Sequence, residues 1–97
     1  MCTEKENWPF DQPKDCAVIT LKAVMANNAP ILWVYHDLDD HGWQFLSTND
    51  FSVDDAMVVS LENMIQRDPS LFTIADIQPG YHAYRATKNE DWIIVQT

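Results

Sequence analysis

Apolar residues in this chain come in short bursts separated by polar, asparagine- or proline-bearing breaks, and the spacing within each burst predicts its element. Cys16-Ala-Val-Ile-Thr20 is a brief β-prone run. Leu21 to Ala26 fits a turn of helix, closed by Asn27-Asn28 and by Pro30, which pushes residue 29 out of the helical region. Ile31-Leu-Trp-Val-Tyr-His36 is apolar on both faces; its β-branched and aromatic content at this length predicts a central strand. Trp43-Gln-Phe-Leu-Ser47 sets Trp43, Phe45 and Ser47 against Gln44 and Leu46, the alternation of a half-buried strand. Asp37 to Gly42 then becomes a hairpin loop, with Gly42 the residue able to take a positive φ.

Residues 48–58 fit no single period. Ser52 with Asp55 three positions on imitates a capping box, although Asp is a weaker third-position partner than Glu or Gln. The next element is a helix: Ser60 caps it, Glu62 suits its positive end, Leu61, Met64 and Ile65 form one apolar stripe, and Arg67 suits its negative end. Val59 and Met64 stand in hydrophobic-staple positions. Asp68-Pro69 ends that helix and starts a further short turn. After the turn signal Gln78-Pro79-Gly80, Tyr81–Arg85 and Trp92–Val95 read as strands of a second hairpin. Residues 1–15 read as a polar arm pinned by Trp8 and Phe10, and residues 16–97 as one α+β domain. The expected architecture is a mainly antiparallel twisted sheet of about 4–5 strands with one or two short helices on one face.

Ninety-seven residues make one domain, which buries roughly 60–65% of its unfolded surface and so needs a well-filled core. Four Trp, four Phe and three Tyr supply the material. The net charge of −9 argues against nucleic acid and against anionic membranes, because six scattered Lys and Arg cannot displace a phosphate counterion atmosphere. It favours solubility and long-range attraction to a basic partner. Cys2 and Cys16 have no metal spacing, and Cys16 reads as a small buried hydrophobe. The start lacks a basic n-region and an apolar h-region, and no apolar run approaches about 20 residues. The expectation is a soluble protein of a reducing compartment, the bacterial cytoplasm.

Between Lys22 and Arg67 there is no Lys or Arg, while Asp37, Asp39, Asp40, Asp50, Asp54, Asp55 and Glu62 all fall there. His36, Asp37, Asp39, Asp40 and His41 gather potential metal ligands, but one flexible loop controls ligand geometry poorly, and a polar hairpin loop accounts for them. Asp54-Asp55 has the composition of a glycosidase dyad without the cleft. Ser47, His41 and Asp40 have the letters of a triad without a nucleophile elbow. His82, between Tyr81 and Ala83, is a solvent-face or a satisfied core histidine. No catalytic residue, metal or cofactor is expected, and the chain reads as non-enzymatic.

Asp40-His-Gly-Trp43 and its surroundings resemble the immunity-protein-like family of bacterial polymorphic toxin systems, first described as a domain of unknown function. That pattern has a short strand, a strand ending in an aromatic and a basic residue, and an Asp-Ser-Gly-Trp-Arg-Phe-like segment. An acidic stretch follows, then a helix closing on Asp-Pro and a Gly-x-x-aromatic-Arg-like run. The counterparts are Cys16–Thr20, Val34–His36, Asp40–Phe45, Asp50–Asp55, Leu61–Pro69 and Gly80–Arg85, about seventy residues. The chain departs from the pattern at His36, His41 and Gln44 and extends past it at residues 86–97.

The resemblance implies a small protein that blocks a cognate toxin by direct binding, with no catalytic residues, and Gly42, Trp43, Phe45 and Gly80 as structural motif positions. The expected partner is a protein, a basic toxin, met by Asp37, Asp39, Asp40, Asp50, Asp54 and Asp55. The alternatives are a cytoplasmic scaffold or regulatory module that homodimerises through an edge such as Trp92–Val95 or through Trp8 and Phe10, and a domain whose aromatics line a small-molecule pocket.

Overall fold

A computed structural model describes residue 10, residues 12–48 and residues 50–97. The chain forms β1 (Ala17–Leu21), α1 (Lys22–Asn27), β2 (Trp33–His36), β3 (Trp43–Leu46), a 3-10 turn (Val53–Asp55), β4 (Ala56–Ser60), α2 (Leu61–Arg67), a 3-10 segment (Pro69–Ile74), β5 (Tyr81–Tyr84) and β6 (Ile93–Gln96). The six strands of the described residues join one sheet in the order β4-β1-β3-β2-β5-β6. β1 and β3 run parallel and every other neighbouring pair is antiparallel. The fold is α+β, with six strands where about 4–5 are expected from the sequence. The additional strand is β4, which lies in the stretch without a clear period. It is an edge strand with half-buried faces, so its side chains need not alternate in polarity.

One face of the sheet carries the core. A row runs Met57, Thr20, Phe45, Val34, Ala83, Ile94 across the six strands, flanked by Val18 and by the pair Trp43 and His36. Leu61, Met64 and Ile65 of α2, with Leu71 and Ile74 of the 3-10 segment, close over it in one cluster. The local signals act as anticipated: Ser60 Oγ accepts from the Asn63 N–H at 3.2 Å, and Asp68 Oδ1 accepts from the Ser70 N–H at 3.0 Å. Ser52 and Asp55 do bond as a box, Asp55 Oδ2 accepting from the Ser52 N–H and hydroxyl at 3.2 Å, but they cap only a single 3-10 turn. Buried Thr20 donates to the Phe45 carbonyl at 2.7 Å across the parallel pair. Cys16 is only half-buried against the core, short of full burial.

Two arginines tie the layers together. Arg67 reaches the end of α1, donating to the Met25 carbonyl at 2.8 Å and to Asn28 Oδ1. Arg85, just past β5 and 3% exposed, pairs with Asp68 and donates to Ser70 Oγ at 3.1 Å. Its Nε and Nη2 both donate to the Ile31 carbonyl, at 3.1 and 2.9 Å, and its guanidinium lies 4.0 Å from the centre of the Trp92 ring.

The first loop differs from expectation. Gly42 does not take the positive φ; His41 does, at 59°. Asp40 Oδ1 accepts the Gly42 N–H at 2.9 Å, and this bond two residues along holds the turn so that the left-handed position falls on His41. Gly80 does need its freedom: φ is 89°, in a turn closed by the Tyr81 N–H on the Gln78 carbonyl at 3.1 Å. Gly80→Ala should therefore cost about 1–2 kcal/mol. Gly42→Ala should cost less, since an added Cβ meets only the side chain of Asp40, at 3.0 Å. Urea unfolding of the two variants checks the order.

Candidate functional site: an uncharged sheet face between two acidic ends

The six expected partner carboxylates do not form one surface. Asp37, Asp39 and Asp40 precede the first residue of β3, whereas Asp50, Asp54 and Asp55 follow its last and lead into β4. Ala56 of β4 pairs with Leu21, the far end of β1, which runs parallel to β3. The two acidic groups thus sit at opposite ends of the sheet. A four-residue strand spans about 13 Å, which exceeds the Debye length of about 8 Å at physiological salt. They act as separate charges rather than one patch. Asp37 is bonded to the sheet, its Oδ2 accepting from Gln44 Nε2 at 3.0 Å.

His36 and the motif residues Trp43 and Phe45 are built into the core. His36 is buried, stacked on Trp43 with ring centres 4.0 Å apart, and its Nδ1 must donate to the Ile77 carbonyl at 2.8 Å because a carbonyl only accepts. Among the described residues no three His, Cys, Asp or Glu side chains gather as a metal site would require. Trp43 and Phe45 stack in the core, and Phe10 meets Trp43 edge-on at 5.2 Å. Gln12 completes the clamp: its Oε1 accepts from Trp43 Nε1 at 2.9 Å while its Nε2 donates to the His41 carbonyl at 2.8 Å. Phe10 is buried at this contact; Trp8 and Cys2 lie outside the described residues.

The opposite sheet face is covered at one end, where Leu21 and Leu46 are buried, and only half-buried at Trp33, Tyr35, His82 and Tyr84. One row across all six strands reads Val58, Ile19, Gln44, Tyr35, His82, Val95, and beside it run Leu46, Trp33, Tyr84 and Ile93. Neither row contains Lys, Arg, Asp or Glu. Cross-strand partners stack, Trp33 on Tyr84 with ring centres 6.3 Å apart and Tyr35 on His82 at 4.9 Å. His82 Nδ1 also lies 3.0 Å from Thr97 Oγ1. Toward β6 the face opens further, with Ile93 and Val95 52% and 38% exposed. The signal was present in the sequence, since Trp33 and Tyr35 alternate with Val34 and His36, but only the register aligns them with Tyr84 and His82.

Comparison with protein-family models, with curated proteins and with solved structures finds no match to this chain. No helix among the described residues is long and apolar enough to cross a membrane.

The motif tryptophan gives the sharpest test of the structural assignment. Trp43→Ala should cost about 3–5 kcal/mol, as large-to-small core changes do. Trp43→Phe, which loses the bond to Gln12 and leaves a smaller cavity, should cost about 1–3 kcal/mol, less than the alanine change. Thermal unfolding of both variants, with Gln12→Ala as companion, measures the difference.

Proposed function

We propose that this chain is a non-catalytic protein-binding domain whose uncharged aromatic sheet face is the docking surface. The acidic groups at the two ends of the sheet steer a basic protein onto it. The observation that carries this reading is the charge-free face of Trp33, Tyr35, His82 and Tyr84 held between carboxylates. Aromatic side chains of this kind supply most of the binding energy at protein interfaces, while charged rims govern approach and orientation. A resemblance to immunity-like proteins makes the partner a basic toxin that the domain neutralises by covering it.

An aromatic face could also stack bases, and chemistry favours protein over nucleic acid. Single-strand binders flank their aromatics with a cationic groove. Here Arg67 is committed to the end of α1, Arg85 is buried against Asp68, and both rows of the face lack a cation. The scaffold alternative uses a different surface, a strand edge such as Trp92–Val95.

A pull-down from the source organism supplies the partner, and binding kinetics then separate the two contributions. Asp39→Lys with Asp54→Lys, both at exposed positions, should slow association severalfold and flatten its salt dependence while dissociation stays the same. Tyr84→Ala should speed dissociation at least tenfold with association little changed. Unchanged kinetics in both variants would remove this face and its charges from the interface.

A further inference from the structure

The two edges of the sheet are not alike. β4 is the better covered: of Ala56 to Ser60 only Val58 is exposed, and the carboxylates of Asp54, Asp55 and Glu62 lie just beyond its two ends. β6 is less covered, all four of its residues being exposed. Trp92 to Thr97 carries no charge and no proline, and Ile93, Ile94 and Val95 are all exposed, pointing to both faces of the sheet. Natural edge strands are normally blunted by lysine, proline or a bulge.

The backbone of β6 is set for pairing. Thr97 donates its N–H to the Gly80 carbonyl at 2.8 Å, so in the antiparallel ladder Thr97, Val95 and Ile93 turn toward β5. Trp92, Ile94 and Gln96 therefore turn their N–H and C=O groups outward. We propose that β6 pairs antiparallel with β6 of a second copy of this chain, about a two-fold axis through Ile94, joining two sheets edge to edge. This goes beyond the docking face and does not rest on it.

The sequence of β6 is self-complementary in that register. Ile94 meets Ile94, Ile93 meets Val95 and Trp92 meets Gln96, exchanging about six hydrogen bonds, and every exposed apolar residue finds an apolar partner. Shifting the axis to Ile93 brings Glu90 and Asp91 into the ladder. On the helical side Ile94 borders two hollows, one of 390 Å³ with Ser70, Ile74 and Trp92, the other of 310 Å³ with Ile77 and Tyr81, which leave room for the side chains of an added strand. The net charge of −9 opposes association at a distance but is screened beyond about 8 Å at physiological salt. A contact one strand wide falls below the roughly 1,200 Å² of a permanent dimer, so the pair is reversible.

Sedimentation equilibrium of the full chain between about 1 and 500 µM tests this. The expected result is a monomer–dimer equilibrium in the micromolar range that tightens as salt rises. Ile94→Lys sets two ammonium groups against each other across the axis and should weaken the dimer at least tenfold, with circular dichroism and melting unchanged because Ile94 is half-exposed. Ile94→Cys in a Cys2→Ser, Cys16→Ser background should cross-link on oxidation, since a hydrogen-bonded antiparallel pair places its Cα atoms about 5.5 Å apart, within disulfide reach. Val58→Cys in that background should not. A chain that stays monomeric throughout, or a dimer indifferent to Ile94→Lys, would overturn the proposal.

Discussion

The guanidinium of Arg85 is the constraint around which the layers are arranged. A cation this deeply buried is tolerable only when its donors are satisfied, because the effective cost of removing a charge from water is several kcal/mol. Asp68, Ser70 and the Ile31 carbonyl meet that demand, and Trp92 offers the negative face of its ring. These partners come from three places: the corner after α2, the approach to β2, and the residue that leads into β6. The ion pair thereby fixes where the helical layer sits on the sheet and where the β5–β6 hairpin lies. The edge and open face carried by that hairpin inherit their positions from it.

Much of the fold was legible because local chemistry and burial agree. Ser60, Asp68-Pro69 and Gln78-Pro79-Gly80 are each read from side-chain or backbone requirements confined to a few residues, and each appears where those requirements put it. β4 was not legible, since an edge strand that is half-buried on both sides leaves no period. Nor was the parallel pairing of β1 with β3, which inserts β3 between strands that precede it. The exchange of roles between His41 and Gly42 turns on one side-chain bond from Asp40, a preference that residue identity alone does not decide.

The site was legible in parts. The carboxylates were visible as a run without Lys or Arg, yet proximity in sequence did not make them neighbours: β3 passes between them and carries the two groups to opposite ends. The aromatics of the open face were visible as an alternation in β2, but assigning Tyr35 and Trp33 to a surface required the register that brings His82 and Tyr84 beside them. Arg85 stood at the end of a strand pattern, and Asp68 read as a helix cap. Asp68 does both, one oxygen serving Ser70 and the other Arg85. A pattern of single elements cannot reveal a bond between two of them.

The most direct measurement of this account is a double-mutant cycle on the buried pair, with Asp68→Ala, Arg85→Met and their combination followed by urea unfolding. If the pair organises the layers, each single change costs about 3–5 kcal/mol by stranding its partner, and the double variant loses little more than either single one. Single losses below about 1 kcal/mol, or losses that simply add, would contradict it.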